Sequence, residues 1–211
     1  MQLQGKIINV LGDSITQGYG TSAPEYIYEN VLGRMVGAAA VRNYGIGGTR
    51  IAPQIGPEEF GEPLCRRYRD MADDADVVLV LGGTNDYGHG NAPFGTPEDR
   101  TEDTYCGACH VLCRGLVEKY PTACIVIMTP LQRKDGTLPC QNSGRPLADY
   151  VDVLIGTAAQ YSLPVLDLYR TAGICPDIAA QQADFAPDGL HPNDAGAHRM
   201  AARIAAFLSA L

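Results

Sequence analysis

One serine in this chain sits where a nucleophile could be presented. The segment Gly12-Asp13-Ser14-Ile15-Thr16-Gln17-Gly18-Tyr19-Gly20 follows an apolar run directly. A serine just after a strand, with a glycine before it, can offer both its hydroxyl and its backbone N–H at a sheet edge. The hydroxyl becomes a useful nucleophile only when a base takes its proton. On its own, Ser14 fits an ST-turn or a helix N-cap equally well. Far along the chain, Asp188-Gly189-Leu190-His191-Pro192-Asn193 precedes the last helical pattern. Such a turn can bring Asp188 to one ring nitrogen of His191 and leave the other for Ser14, the division of labour of a Ser-His-Asp triad. An isolated Asp-x-x-His is more often a plain turn. Two further loops, Asn43-Tyr44-Gly45-Ile46-Gly47-Gly48-Thr49-Arg50 and Gly82-Gly83-Thr84-Asn85-Asp86, offer donors for an oxyanion. Their glycines let backbone N–H groups approach a ligand, and Asn85 carries a side-chain amide. Each loop alone also reads as an ordinary glycine-rich turn or an Asn-Asp cap.

The elements that would carry these loops alternate regularly. Apolar runs at 6–11, 41–44, 76–81, 123–129 and 164–168 are expected strands. Helical patterns fall near 26–38, 64–72, 101–119, 146–161 and 193–210. The runs Val77-Val78-Leu79-Val80-Leu81 and Ile125-Val126-Ile127-Met128 are continuous rather than alternating, as in parallel strands covered on both faces. In the last helix Met200, Ile204, Phe207, Leu208 and Leu211 form one stripe, with Asn193 placed to cap its start. Strand–helix alternation without linker or repeat predicts one doubly wound α/β/α sandwich over residues 1–211. Gly, Pro and polar residues gather at 12–25, 45–63, 82–100, 130–145 and 170–192, each after a strand. In open α/β sheets these strand ends form the ligand crevice.

Taken together and in this order, the four loops resemble the sequence blocks of the SGNH (GDSL-like) hydrolase family, from Gly12 to Asn193. The resemblance implies a flavodoxin-like sheet of five parallel strands in the order 2-1-3-4-5. It also implies a serine esterase: Ser14 as nucleophile and, through its N–H, one oxyanion donor; His191 as general base; Asp188 as its partner. Gly48 and Asn85 would complete the oxyanion hole. Gly48 is favoured over Gly47 by counting from Asn43, which the family keeps at the start of that block. The substrate would be a small-molecule ester, with no metal or organic cofactor. Sugar O-deacetylation, lipid or lysophospholipid hydrolysis and thioester hydrolysis all occur in the family. With no Trp, only four Phe and no long apolar loop to grip an acyl tail, the expectation is a short acyl group, such as acetyl, on a polar or carbohydrate alcohol. Arg50, Tyr87 and Arg133 are the candidate substrate contacts, with Lys134 beside them. The rival reading is a non-catalytic phosphate or nucleotide binder built on the Gly12–Gly20 loop. That loop lacks the Lys-Ser/Thr of a P-loop and the G-x-G-x-x-G spacing, and a binder has no use for Asp188 and His191.

Bulk properties narrow the field further. A net charge of −8 argues against a nucleic-acid partner and against an anionic membrane surface, since no basic surplus exists to neutralise phosphates. No segment approaches the ~20 apolar residues of a membrane span. No signal-peptide pattern opens the chain, and seven scattered cysteines suit reduced thiols, so a cytoplasmic location is expected. Cys106-Gly107-Ala108-Cys109-His110 spells a haem c attachment motif. Yet Cys106, Cys109 and Cys113 recur at helical spacing, which makes them expected core residues of a helix rather than ligands. His89 and His198 have no partner visible in the sequence and are expected at the surface or in caps.

Overall fold

The computed structural model describes residues 1–211. Its centre is a parallel sheet ordered β2-β1-β3-β4-β5, made by Ile7–Gly12 (β1), Ala40–Gly45 (β2), Val77–Leu81 (β3), Cys124–Met128 (β4) and Val165–Leu166 (β5). The strands alternate with helices, so each connection returns over a face of the sheet and both faces are covered. Tyr28–Val36 (α2) and Asp194–Ala210 (α9) pack on one face. Leu64–Arg67 (α3), Tyr105–Lys119 (α5) and Leu147–Gln160 (α6) pack on the other. Short helices fill the loops: Ser14–Gln17 (α1), Thr84–His89 (α4), Leu168–Thr171 (α7) and Ala179–Phe185 (α8).

The continuous apolar runs explain the two cores. Along β3, Val78 and Val80 face the α5–α6 side, while Val77, Leu79 and Leu81 face the α2–α9 side. In β4, Ile125 and Ile127 oppose Val126 and Met128 in the same way. A period of two then puts apolar side chains into both layers. Register aligns the strand ends: Gly12 pairs with Gly45 and Leu81, and Leu81 with Met128. The four candidate loops therefore leave from one edge, or return to it.

The expected order and layering hold, with local corrections. The fifth strand has two residues instead of five, because only Val165 and Leu166 reach β4 in register. Along α9, Met200, Ile204 and Leu208 are buried, but Leu211 lies past the helix and is exposed. Asn193 caps that helix, its Oδ1 accepting from Gly196 N at 3.0 Å. Cys106, Cys109 and Cys113 are buried in α5, as their spacing predicts. His110 is buried beside them, with Tyr161 Oη 3.3 Å from its Nδ1. His198 and His89 are both exposed, as expected, and His89 also meets Arg50, a partner that the sequence did not reveal.

Candidate active site

The turn that carries Ser14 is built by close packing. A Cβ on Gly12 would collide with the Thr16 side chain, so only glycine lets α1 fold back against the end of β1. Asp13 caps α1, its Oδ1 accepting from Ile15 N at 3.0 Å. Ser14 opens that helix, where a backbone N–H has no intrahelical acceptor and can serve a ligand. Gly18, at φ 99°, ends it. The Ser14 Oγ lies 2.9 Å from His191 Nε2, and His191 Nδ1 lies 2.6 Å from Asp188 Oδ2.

Asp188 holds the histidine by ring and backbone together. Its Oδ1 accepts from Leu190 N at 2.9 Å and His191 N at 2.7 Å. Gly189, at φ 84°, supplies the left-handed residue of this turn. Partial burial pushes the Asp188 carboxyl upward, but the bonds from His191 and Leu190 outweigh it and hold it below the usual carboxylate range. The anion thus persists at neutral pH and keeps the Nδ1–H tautomer, which leaves Nε2 to accept the Ser14 proton. Tyr19 lies edge-on to the imidazole at 4.5 Å. Ser22 is bound to Asp194 through N and Oγ, at 2.8 and 2.6 Å, which ties the loop after the nucleophile to the start of α9.

The glycine loop distinguishes its two central residues. Gly47 N donates to Gln17 Oε1 at 2.8 Å, so that N–H is taken. Gly48, at φ 75°, has an N–H with no acceptor in the chain. Asn85 is buried on α4 and gives one Nδ2 hydrogen to Thr49 O at 2.9 Å, which leaves the other available. The N–H groups of Ser14 and Gly48 and the Asn85 amide are thus free to donate.

Three buried groups unnoticed in the sequence hold these loops in place. Arg67 reaches from α3 to Tyr44 O, to Gly12 O at 2.8 Å and to Thr49 Oγ1 at 3.1 Å. It thereby joins the ends of β1 and β2 to the Gly48 loop. Asp86 accepts Ile51 N and Ala52 N, each at 2.9 Å. Burial nonetheless raises its carboxyl to about 6. Burial also raises Asp13 to about 7, and the Asp86 charge adds to the shift while Arg67 opposes it. No local pattern marks Arg67, since its acceptors are backbone carbonyls distant in sequence. The Asp13 and Asp86 signal was present in the two blocks, but not the burial.

The candidate substrate contacts fare differently. Arg50 does not border an open crevice: it is only 3% exposed, bound to Glu58 Oε2 at 2.7 Å and to His89 Nδ1 at 3.1 Å. The loop at 53–63 folds back over it, which the sequence pattern did not foretell. Tyr87 is buried too, its hydroxyl donating to Asp135 O at 2.8 Å and Leu138 O at 3.1 Å. Arg133 lies over the Tyr87 ring, 5.5 Å from its centroid, and donates to Thr84 O at 3.2 Å. It is half-buried, and the charges of Asp188 and Asp13 act on it. Lys134 is exposed, and its N–H binds Gly189 O at 2.7 Å, bracing the Asp188 turn.

Known proteins share this fold. One solved chain is 33% identical, covering 100% of this chain and 99% of its own, with a TM-score of 0.88. A protein from Lactobacillus plantarum is 30% identical over 98% of each chain, with a TM-score of 0.85. A two-domain esterase active on acetylated mannans is 25% identical, with a TM-score of 0.67 over 97% of this chain and 48% of its own. No curated protein sequence matches the chain. The model of the GDSL-like lipase/acylhydrolase family matches residues 10–199, which takes in the Ser14 turn, both glycine loops and the Asp188–His191 turn, and the chain belongs to that family.

Proposed function

We propose that this protein is a serine esterase that cleaves a short acyl group, acetyl above all, from a polar or carbohydrate alcohol. The observation that carries the reading is the unbroken relay from Ser14 Oγ through His191 to Asp188, with contacts of 2.9 and 2.6 Å. His191 takes the Ser14 proton as Oγ attacks the ester carbonyl. The resulting oxyanion accepts from Ser14 N–H, Gly48 N–H and the Asn85 amide. His191 then gives its proton to the departing alcohol, and the acyl group stays on Ser14. A water, deprotonated by the same imidazole, attacks the acyl-enzyme and releases the acid.

The short-chain preference rests on what lies around the donors. Beside Gly48 the apolar cover is Phe60, with Ile46 two residues before it, both partly exposed. The relative active on acetylated mannans supports a carbohydrate alcohol. The test is a series of p-nitrophenyl esters from acetyl to decanoyl. Each methylene that finds an apolar wall is worth about 0.8 kcal/mol; without one, kcat/KM should peak at acetyl or propionyl. A steady rise through decanoyl would contradict the short-chain reading.

A further inference from the structure

Asn85 and His89 stand four residues apart on α4, so His89 lies one turn, about 5–6 Å, beyond the oxyanion donor. At that end of the helix is a cavity of about 310 Å³ lined by Tyr87, Gly88, His89, Gly90, Gln141 and Asn142. The volume is at the small end of ligand pockets, room for one ring-sized group rather than a chain. We propose that this cavity is the subsite for a sugar ring of an acylated carbohydrate, bound through its hydroxyl groups. The assignment rests on the esterase reading above.

The chemistry of the lining selects the ligand. None of its side chains carries a full charge. Arg50 donates into His89 Nδ1, which leaves the imidazole hydrogen on Nε2 as a donor. Partial desolvation, with the charges of Arg50 and Arg133, holds the ring below the usual imidazole range. Asn142 gives Nδ2 to Ala92 O at 2.9 Å, which fixes the turn and leaves Oδ1 as an acceptor. Gln141 is exposed, with an amide that both donates and accepts. Tyr87 spends its hydroxyl on Asp135 O and Leu138 O, so it contributes ring rather than polar atoms. Neutral donors and acceptors suit vicinal hydroxyls, each of which donates and accepts. An acyl tail would bury these amides without partners, at a cost of about 1–3 kcal/mol each. Arg50, which bonds His89, is already paired with Glu58. Arg133 reaches the edge of the cavity, since a Cβ on Gly88 would come within 2.6 Å of its Nη1.

The experiment compares two esters in three proteins. Wild type, Gln141→Ala and Gln141→Trp are assayed on a mono-O-acetylated hexose and on p-nitrophenyl acetate, and the ratio of the two kcat/KM values is read. Gln141 is exposed on a turn, and circular dichroism checks that each variant keeps its fold. Gln141→Ala, which removes one hydrogen-bonding group, should lower the ratio about threefold to tenfold; Gln141→Trp, which fills the cavity, should lower it by more than about tenfold, chiefly through KM. Ratios within twofold of wild type in both variants would overturn the subsite while leaving the esterase standing. A wild-type protein inactive on both esters would overturn the esterase reading, and the subsite with it.

Discussion

At the scale of single residues, the site depends on which N–H groups remain unpaired. Gly47 and Gly48 are adjacent and alike in sequence, yet Gln17 takes the N–H of one and nothing takes the other. This difference yields an ordered prediction. Gly48→Ala forces a side chain into a φ of 75° and against the Phe60 ring, and strain of that kind costs about 1–3 kcal/mol. Gly47→Ala meets chiefly the movable end of Gln17, at 2.8 Å. Turnover of p-nitrophenyl acetate should therefore fall much further in Gly48→Ala, whereas equal losses would remove Gly48 from the oxyanion hole. Asn85→Ala should lower kcat by about 10²–10³ with little change in KM, as expected of a group that acts on the transition state. Ser14, Asp188, His191, Gly48 and Asn85 could be singled out as candidates because the order of the four blocks is a one-dimensional signal, and the structure brings Ser14, His191 and Asp188 into contact. Arg50 and Tyr87 were legible as neighbours of the site but not in their actual roles. Their burial follows from loops 53–63 and 135–138 folding over them, and loop paths leave no periodic trace.

At the scale of elements, long strands and helices were readable from apolar period and the short ones were not. Helices α1, α4, α7 and α8 run four to seven residues, too few to display a 3.6-residue stripe. They form through caps and close glycines instead, as at Asp13 and Gly18. Two of them carry Ser14 and Asn85, so the sequence disclosed the reactive groups more clearly than the elements that hold them. Those elements depend on Arg67, whose guanidinium satisfies Gly12 O and Tyr44 O where the sheet ladder ends. Arg67→Ala would remove the charge-assisted bonds to both carbonyls, leaving Gly12 O with Ile46 N at 3.2 Å, and would release Thr49, at about 1.5–3 kcal/mol for each charge-assisted bond. We expect a loss of about 3–5 kcal/mol in denaturant unfolding and, in the folded fraction, a fall in kcat larger than the change in KM. Arg67→Lys should recover only part, because an ammonium cannot span the same acceptors. Full activity and stability in Arg67→Ala would show that the strand ends position the loops without it.

At the scale of the whole molecule, burying acids makes stability depend on pH. Glu29 has no exposed surface and accepts from Asn43 Nδ2 at 2.5 Å, while its Oε2 has no partner. Burial raises it to about 7, and Asp13 and Asp86 are raised as well. A carboxyl raised in the folded state favours folding fully below its unfolded value, near 4, and loses that advantage as pH rises through the folded value. The protein should accordingly become less stable between about pH 4 and pH 7. Glu29→Gln keeps the acceptor for Asn43 and removes the charge. Relative to wild type it should gain about 2 kcal/mol between pH 5 and pH 8, measured by urea unfolding at each pH. A difference independent of pH would mean that Glu29 ionises freely in the folded protein. The proposed activity rests on one relay, and the measurement that tests it most directly is turnover of p-nitrophenyl acetate by Ser14→Ala, His191→Ala and the double variant. Each single change should reduce turnover by at least about 10³ with the fold intact, and the double should lose almost nothing more, because members of one catalytic unit are not additive. A Ser14→Ala protein that keeps more than a few per cent of wild-type turnover would contradict the account, because Ser14 would then not be the nucleophile.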